Sequence, residues 1–207
     1  MEQKALKDKY KDEQVLSIKN LYLELLDRED VDKVQALFTL IKDTAKFEYR
    51  YEAEIDFEKK QVIPYVVLKH NDKYFVTKRI QGDSRLVGGL SVAVGGHINP
   101  CDATGVCHPA QIVLNCIDRE LTEETTVKSG DIEDLEFVTT FVDESAPVSK
   151  VHICLLTKVL LNTDDIYIKE TDKLEGCWMD INEIKEHYDQ LEGWSKIAID
   201  LLEEEGM

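Results

Sequence analysis

The sequence predicts an α/β fold with a mixed β-sheet and helices on both faces, preceded by a partly helical N-terminal extension. Three observations carry this. Runs rich in β-branched and aromatic residues recur from Tyr49 onward. Segments with apolar residues at helical spacing lie among them. The two kinds are interspersed without strict βαβ alternation, which favours a mixed sheet.

Residues 1–14 are charged and are expected to fray. Residues 15–26 are apolar without a clean period and read as a short strand followed by a helical turn. Residues 31–46 carry Val34, Leu37, Phe38 and Ile41 at helical spacing. Strands are expected at 49–56, 61–70 and 74–80, the last two joined by the turn His70-Asn71-Asp72-Lys73. Residues 90–94 form a short strand ending at Gly95-Gly96, and a loop covers 97–108. Pro109 suits the first turn of a helix reaching about Val127. Residues 135–142 and 151–160 read as strands, as does Gly176-Cys177-Trp178-Met179. Asp180 with Glu183 resembles a capping box. A helix from Trp194 to Glu205 closes the chain. The expected division is an N-terminal extension, 1–48, and a domain, 49–207.

The 207 residues suffice for one generous domain, and 43% hydrophobic content allows a sizeable core. The net charge of −17 repels polyphosphate backbones, which argues against long nucleic acid as a partner. A small phosphate-bearing ligand is compatible with it if metal ions screen the charge. No apolar run is long enough to cross a bilayer, and the charged N-terminus lacks the apolar segment of a secretion signal, so the expected location is cytoplasmic, away from membranes. Five cysteines, an odd count, argue against a disulfide framework.

The stretch Arg119-Glu120-Leu121-Thr122-Glu123-Glu124 crowds three carboxylates beside one cation. On a helix stepping about 100° per residue, Ala110, Leu114, Ile117 and Leu121 share an arc about 60° wide. Glu124 then borders that apolar stripe, and Glu120 lies close by. A solvated acidic face is one reading, since like charges one turn apart cost only about 0.2–0.5 kcal/mol per pair when exposed. Beside a core stripe the cost rises, and a compensating cation is called for. Arg119 supplies one charge, and a hard divalent ion with oxygen ligands would supply the rest.

Gly96, an interval, and then Arg119-Glu120-Leu121-Thr122-Glu123-Glu124 resemble the signature of the Nudix hydrolases. That pattern is Gly, five residues, Glu, seven residues, Arg-Glu-aliphatic-x-Glu-Glu-x-Gly-aliphatic. The Arg-Glu-Leu-x-Glu-Glu core is present in full, and Val127 matches the final aliphatic residue. Ser91-Val92-Ala93-Val94-Gly95-Gly96-His97 is similar to the segment that precedes the signature helix, and Ile63-Pro64-Tyr65-Val66-Val67 and Lys78-Arg79 fit the start of such a domain. The likeness covers roughly residues 50–205. It departs at three points. Gln111 stands where the family has Glu; it keeps a hydrogen bond to Arg119 but removes a charge. Thr126 replaces the signature glycine, so the turn after the helix must take another conformation. Fourteen residues separate Gly96 from Gln111 instead of five.

The resemblance implies an α/β/α sandwich and metal-dependent hydrolysis of a diphosphate linkage in a small substrate, a nucleoside diphosphate derivative above all, by water attack on phosphorus. It implies Mg²⁺ or Mn²⁺ held by Glu120, Glu123, Glu124 and the Gly96 carbonyl, neutralising the diphosphate and polarising the phosphorus. Arg119 would orient the carboxylates. Glu144, Glu170 and Glu175 are candidates for an additional acid, and Lys78, Arg79 and Arg85 for contacts to substrate phosphates. Each of these is also an ordinary surface charge by type. Trp178, Tyr65 and Tyr74 are candidates to stack on a base or to pack in the core. Gln111 and Thr126 keep open a nucleotide-binding or regulatory module without turnover. Cys107-His108-Pro109 leading into a helix also resembles isopentenyl diphosphate isomerases. His97, Cys101, Cys107 and His108 carry zinc-binding side chains, but C-x5-C-H is no standard zinc spacing. The N-terminal helix either completes a pocket or builds a homodimer.

Overall fold

The computed structural model describes residues 2–26, 31–81, 88–143, 145, 149–169 and 171–204. In chain order the elements are α1 (Glu2–Tyr10), β1 (Gln14–Lys19), a 3-10 turn (Asn20–Leu25), α2 (Lys33–Thr44), β2 (Lys46–Tyr49), α3 (Arg50–Ala53), β3 (Lys59–His70), β4 (Lys73–Arg79), β5 (Leu90–Ser91), α4 (Pro109–Glu124), β6 (Ile132–Phe141), β7 (His152–Leu161), β8 (Leu174–Asp180), α5 (Ile181–Glu186) and α6 (Gly193–Glu204). They fall into two compact units. One comprises Met1–Pro64, Gly96–Ile117 and Val138–Leu155, the other Tyr65–Gly95, Asp118–Phe137 and Leu156–Met207. β3, β6, β7 and α4 contribute residues to both.

In the first unit β1 runs antiparallel between β2 and the start of β3, with Leu16 opposite Phe47 and Ile18 opposite Lys60. Val15, Leu16 and Ile18 are buried, as expected of a strand covered on both faces. α2 packs against β1 through a stripe that includes Leu37, Phe38 and Ile41. Asp32 starts that helix by accepting from the Gln35 N–H at 3.0 Å. The strand expected over 49–56 instead ends at Tyr49, and the chain turns into α3. Arg50 and Glu54 stand one helical turn apart and pair at 3.1 Å, which favours the helix locally.

In the second unit β4 pairs antiparallel with the end of β3, with β5, and along its whole length with β8. The β3–β4 hairpin turns at Asn71, whose φ of 51° is the left-handed conformation that asparagine tolerates. Asp180 caps α5 by accepting from the Asn182 and Glu183 amides, and Glu183 accepts in return from the Asp180 amide. α6 buries Ser195, Ala198, Ile199 and Leu202.

β7 pairs with β3 and β6. Lys60 Nζ donates to the Lys150 carbonyl near the start of β3, and His70 Nδ1 hydrogen-bonds the Leu161 carbonyl at its end. Both strands therefore advance in the same direction, and with the antiparallel pairs this makes the sheet mixed. No helix among the described residues is long and apolar enough to cross a membrane.

Candidate active site

α4 runs from Pro109 to Glu124 and carries the acidic stretch on its last turn and a half. Its buried stripe passes through Val113, Cys116, Ile117, Glu120 and Leu121, while Ala110 and Leu114 are only half-buried. The stripe is centred about 60° round the helix from the one that apolar spacing predicts. Glu120 therefore lies within the core stripe, not beside it, and is 9% exposed. Arg119 makes this tolerable: its Nη1 donates to Glu120 Oε1 at 2.7 Å and to Glu123 Oε2 at 3.3 Å. One guanidinium nitrogen thus joins a buried carboxylate to a mostly exposed one.

The helix ends without a left-handed residue at position 126. Thr126 and Tyr167 exchange two hydrogen bonds of 2.9 Å, the Thr126 amide to the Tyr167 carbonyl and the Tyr167 amide to Thr126 Oγ1. The Lys169 amide donates to the Glu124 carbonyl at 2.8 Å. These bonds do the work expected of the signature glycine, and they fix the backbone at Glu124.

Glu124 is half-buried and lines a cleft of about 220 Å³ together with Tyr65, Arg79, Ser91, Gly95 and Glu192. Tyr65 Oη bonds Ser195 Oγ at 2.7 Å and Ser91 Oγ at 3.1 Å, which fixes one wall. Arg79 Nε is shielded from solvent and has no hydrogen-bond partner among the described residues. It stands 3.8 Å from Glu192 Oε1. Burial raises the Glu192 carboxyl above its ordinary pKa, and the opposing pull of Arg79 does not cancel the rise.

Of the other expected site residues, Lys78 is exposed and pairs in register with Glu175 on β8, also exposed; neither lines the cleft. Arg85, Glu144 and Glu170 lie outside the described residues. Gly96 follows Gly95 in the chain and belongs to the first unit. Gln111 is exposed and donates to Asn115 Oδ1 at 3.0 Å. Trp178 packs edge-on against Phe75 and Tyr74 is buried, so of the three aromatic candidates Tyr65 is the one at the cleft.

Two groups have no motif to announce them. Glu192 reaches the cleft because its amide donates to the Leu90 carbonyl at 2.9 Å and Leu191 bridges Leu90, a tertiary pairing that local sequence does not encode. Glu54, His97 and His152, in the first unit, bring three possible metal-ligand atoms within 4.8 Å of one another. Among the described residues they are the group that does so; the acids of α4 are not drawn that close, with Glu120 and Glu123 on Arg119 and Glu124 at the cleft. Cys101, Cys107 and His108 are exposed and stand outside that group.

No family model matches the chain. Protein YmaB of Bacillus subtilis (strain 168) is 36% identical over 159 residues, which cover 74% of this chain and 76% of that protein. Tm1382, a protein of known structure assigned to the Nudix hydrolases, superposes with a TM-score of 0.76 at 28% identity, covering 92% of this chain and 98% of its own. The Nudix domain of Shewanella oneidensis NrtR, solved with ADP ribose, gives a TM-score of 0.54 at 17% identity over 72% of this chain and 89% of its own, a likeness of fold.

Proposed function

Because this chain belongs to the Nudix hydrolase family and is a hydrolase of phosphoric anhydrides, we propose that it cleaves the diphosphate linkage of a nucleoside diphosphate derivative at the Glu124 cleft, with Mg²⁺ or Mn²⁺ as cofactor. The observation that carries this reading is the meeting of half-buried Glu124 and the Arg79 guanidinium on the wall of one cleft. An acid to hold a cation and a cation to meet a phosphate are the two groups a diphosphate substrate requires.

The donor atoms are of the type the metal takes. Glu120, Glu123 and Glu124 offer only carboxylate oxygens, which suit hard ions such as Mg²⁺ and Mn²⁺. Bound by them, the ion would neutralise phosphate charge and make the phosphorus more electrophilic. Arg119 positions Glu120 and Glu123 through its two hydrogen bonds. The Arg79 guanidinium, which lines the cleft, donates N–H to a non-bridging phosphate oxygen. Glu192 joins Glu144, Glu170 and Glu175 as a candidate for the additional acid: from the cleft it accepts the proton that the attacking water loses. Water oxygen bonds to one phosphorus, the bridging P–O bond breaks, and two phosphate-ended products leave, with one proton passing through Glu192 to solvent.

The cleft volume of about 220 Å³ is below the 300–1,000 Å³ or so typical of pockets for drug-sized ligands. It therefore encloses the diphosphate, and the nucleoside extends outward. The test is a set of nucleoside diphosphate derivatives, beginning with ADP ribose, incubated with Mg²⁺ or Mn²⁺ and followed by release of nucleoside monophosphate. Turnover is expected with metal and not with chelator, and Glu124→Gln should reduce it at least about a hundredfold. Turnover that persists in Glu124→Gln would place the chemistry elsewhere.

A further inference from the structure

We propose that Glu54, His97 and His152 form a second metal site, chemically distinct from the acids of α4, that takes a zinc-class divalent ion on two imidazoles and one carboxylate. His97 Nε2 and His152 Nε2 face each other at 3.3 Å, with the ring centroids 5.4 Å apart and the planes inclined by 65°. The Glu54 carboxylate completes the group, all three ligand atoms lying within 4.8 Å of one another.

The separation suits the metal. Zinc–nitrogen bonds of about 2.0–2.1 Å at a tetrahedral angle hold two ligand nitrogens about 3.3–3.4 Å apart. The same 3.3 Å admits a hydrogen bond between the two rings, which a bound ion would replace. Two nitrogens and one oxygen are a borderline-soft set, which favours Zn²⁺ over the Mg²⁺ that an all-carboxylate set attracts. Three protein ligands leave the fourth tetrahedral position to water or an incoming ligand.

The ligands are held as a built site requires. His152 opens β7 and is 7% exposed. His97 is fixed through its backbone: the Cys116 thiol donates to its carbonyl at 3.5 Å, and the next residue, Ile98, accepts from the Leu16 amide of β1 at 2.9 Å. Glu54 follows α3, and its amide donates to the Arg50 carbonyl at 2.9 Å. Arg50 Nε donates to Glu54 Oε1 at 3.1 Å. Arg50 is itself held by Glu13 at 3.0 Å and lies over the Tyr10 ring at 4.2 Å. An anchored partner of this kind orients a ligand carboxylate. A bound ion would tie together the end of α3, the segment after Gly96 and the start of β7.

The experiment titrates chelator-treated full-length protein with Zn²⁺ against a chromophoric competitor, and with Co²⁺ read by visible absorption. One equivalent is expected, with the intense Co²⁺ bands of tetrahedral coordination and a melting temperature that rises with Zn²⁺ concentration. His97→Gln and Glu54→Gln should each weaken binding at least about tenfold. Circular dichroism reports whether they remain folded, and His152→Gln serves as a third variant. Glu124→Gln and the double variant Cys101→Ser/Cys107→Ser should bind as the parent does. Absence of saturable binding, affinity unchanged in folded His97→Gln and Glu54→Gln, or binding lost with the thiols would each overturn the proposal.

Discussion

Arg79 Nε and Glu192 Oε1 lie 3.8 Å apart in the cleft, close enough for their charges to interact and too far for a hydrogen bond. Burial dominates at Glu192 and raises its carboxyl above the ordinary 4.5. Between that value and the raised one the folded chain holds more protons than the unfolded chain, so this group's contribution to stability falls as pH rises. Glu192→Gln removes the titration. Its melting temperature should gain on the parent as pH is raised from about 4.5 through the acid range. Melts over a pH series check this; curves that run parallel would contradict it.

Arg79 lines the same cleft as Glu124. Arg79→Ala should raise KM about tenfold or more, the worth of one charge-assisted hydrogen bond, with a smaller effect on kcat. Steady-state kinetics separate the two. A loss confined to kcat would mean that Arg79 acts in the transition state alone.

Arg119 joins Glu120 to Glu123, so its removal leaves a nearly buried carboxylate without that cation. Arg119→Ala should lower activity about 10–100-fold and raise the Mg²⁺ concentration needed for half-maximal rate. An unchanged metal dependence would remove Arg119 from the positioning role.

Gly176 lies on β8 opposite Thr77, where an added Cβ would overlap the Phe75 ring and sit 3.1 Å from Ile168 Cγ1. Gly176→Ala should destabilise the fold by about 1–3 kcal/mol. That is a fall in Tm of about 2–4 °C for each kcal/mol in a chain of this size. Differential scanning calorimetry gives the value; an unshifted transition would mean that the Phe75 ring moves aside freely.

Asp180 accepts two amide hydrogen bonds at the start of α5. Asp180→Ala should cost about 1 kcal/mol. Asp180→Asn should recover most of it, because the amide oxygen still caps.

Local chemistry was legible in the sequence. Asn71 in its turn, Pro109 at the start of α4 and Asp180 with Glu183 are each recognised by what their own side chain or ring does to the nearest few residues. The Arg-Glu-Leu-x-Glu-Glu stretch is legible for the same reason, since one helix carries it. Placement that depends on distant partners was not. Apolar spacing alone set Glu120 beside the stripe, because it weighs a carboxylate as wet and cannot see Arg119 neutralise it. The 49–56 run reads as strand by residue type, yet the Arg50–Glu54 pair and the burial of Tyr51 and Ala53 turn it into α3. Glu54, His97 and His152 come from three segments 43 and 55 residues apart, and no spacing rule joins them.

The position of β1 bears on how the chain is made. Its partners, β2 and the first residues of β3, and the helix α2 that covers it are all complete by Gln61. This ribbon can close on the ribosome while the acidic helix is still untranslated, before Ile98 arrives to accept from the Leu16 amide. Truncation past Gln14 would take out a middle strand and bare the flanks of β2 and β3 to neighbouring chains, inviting edge-to-edge aggregation.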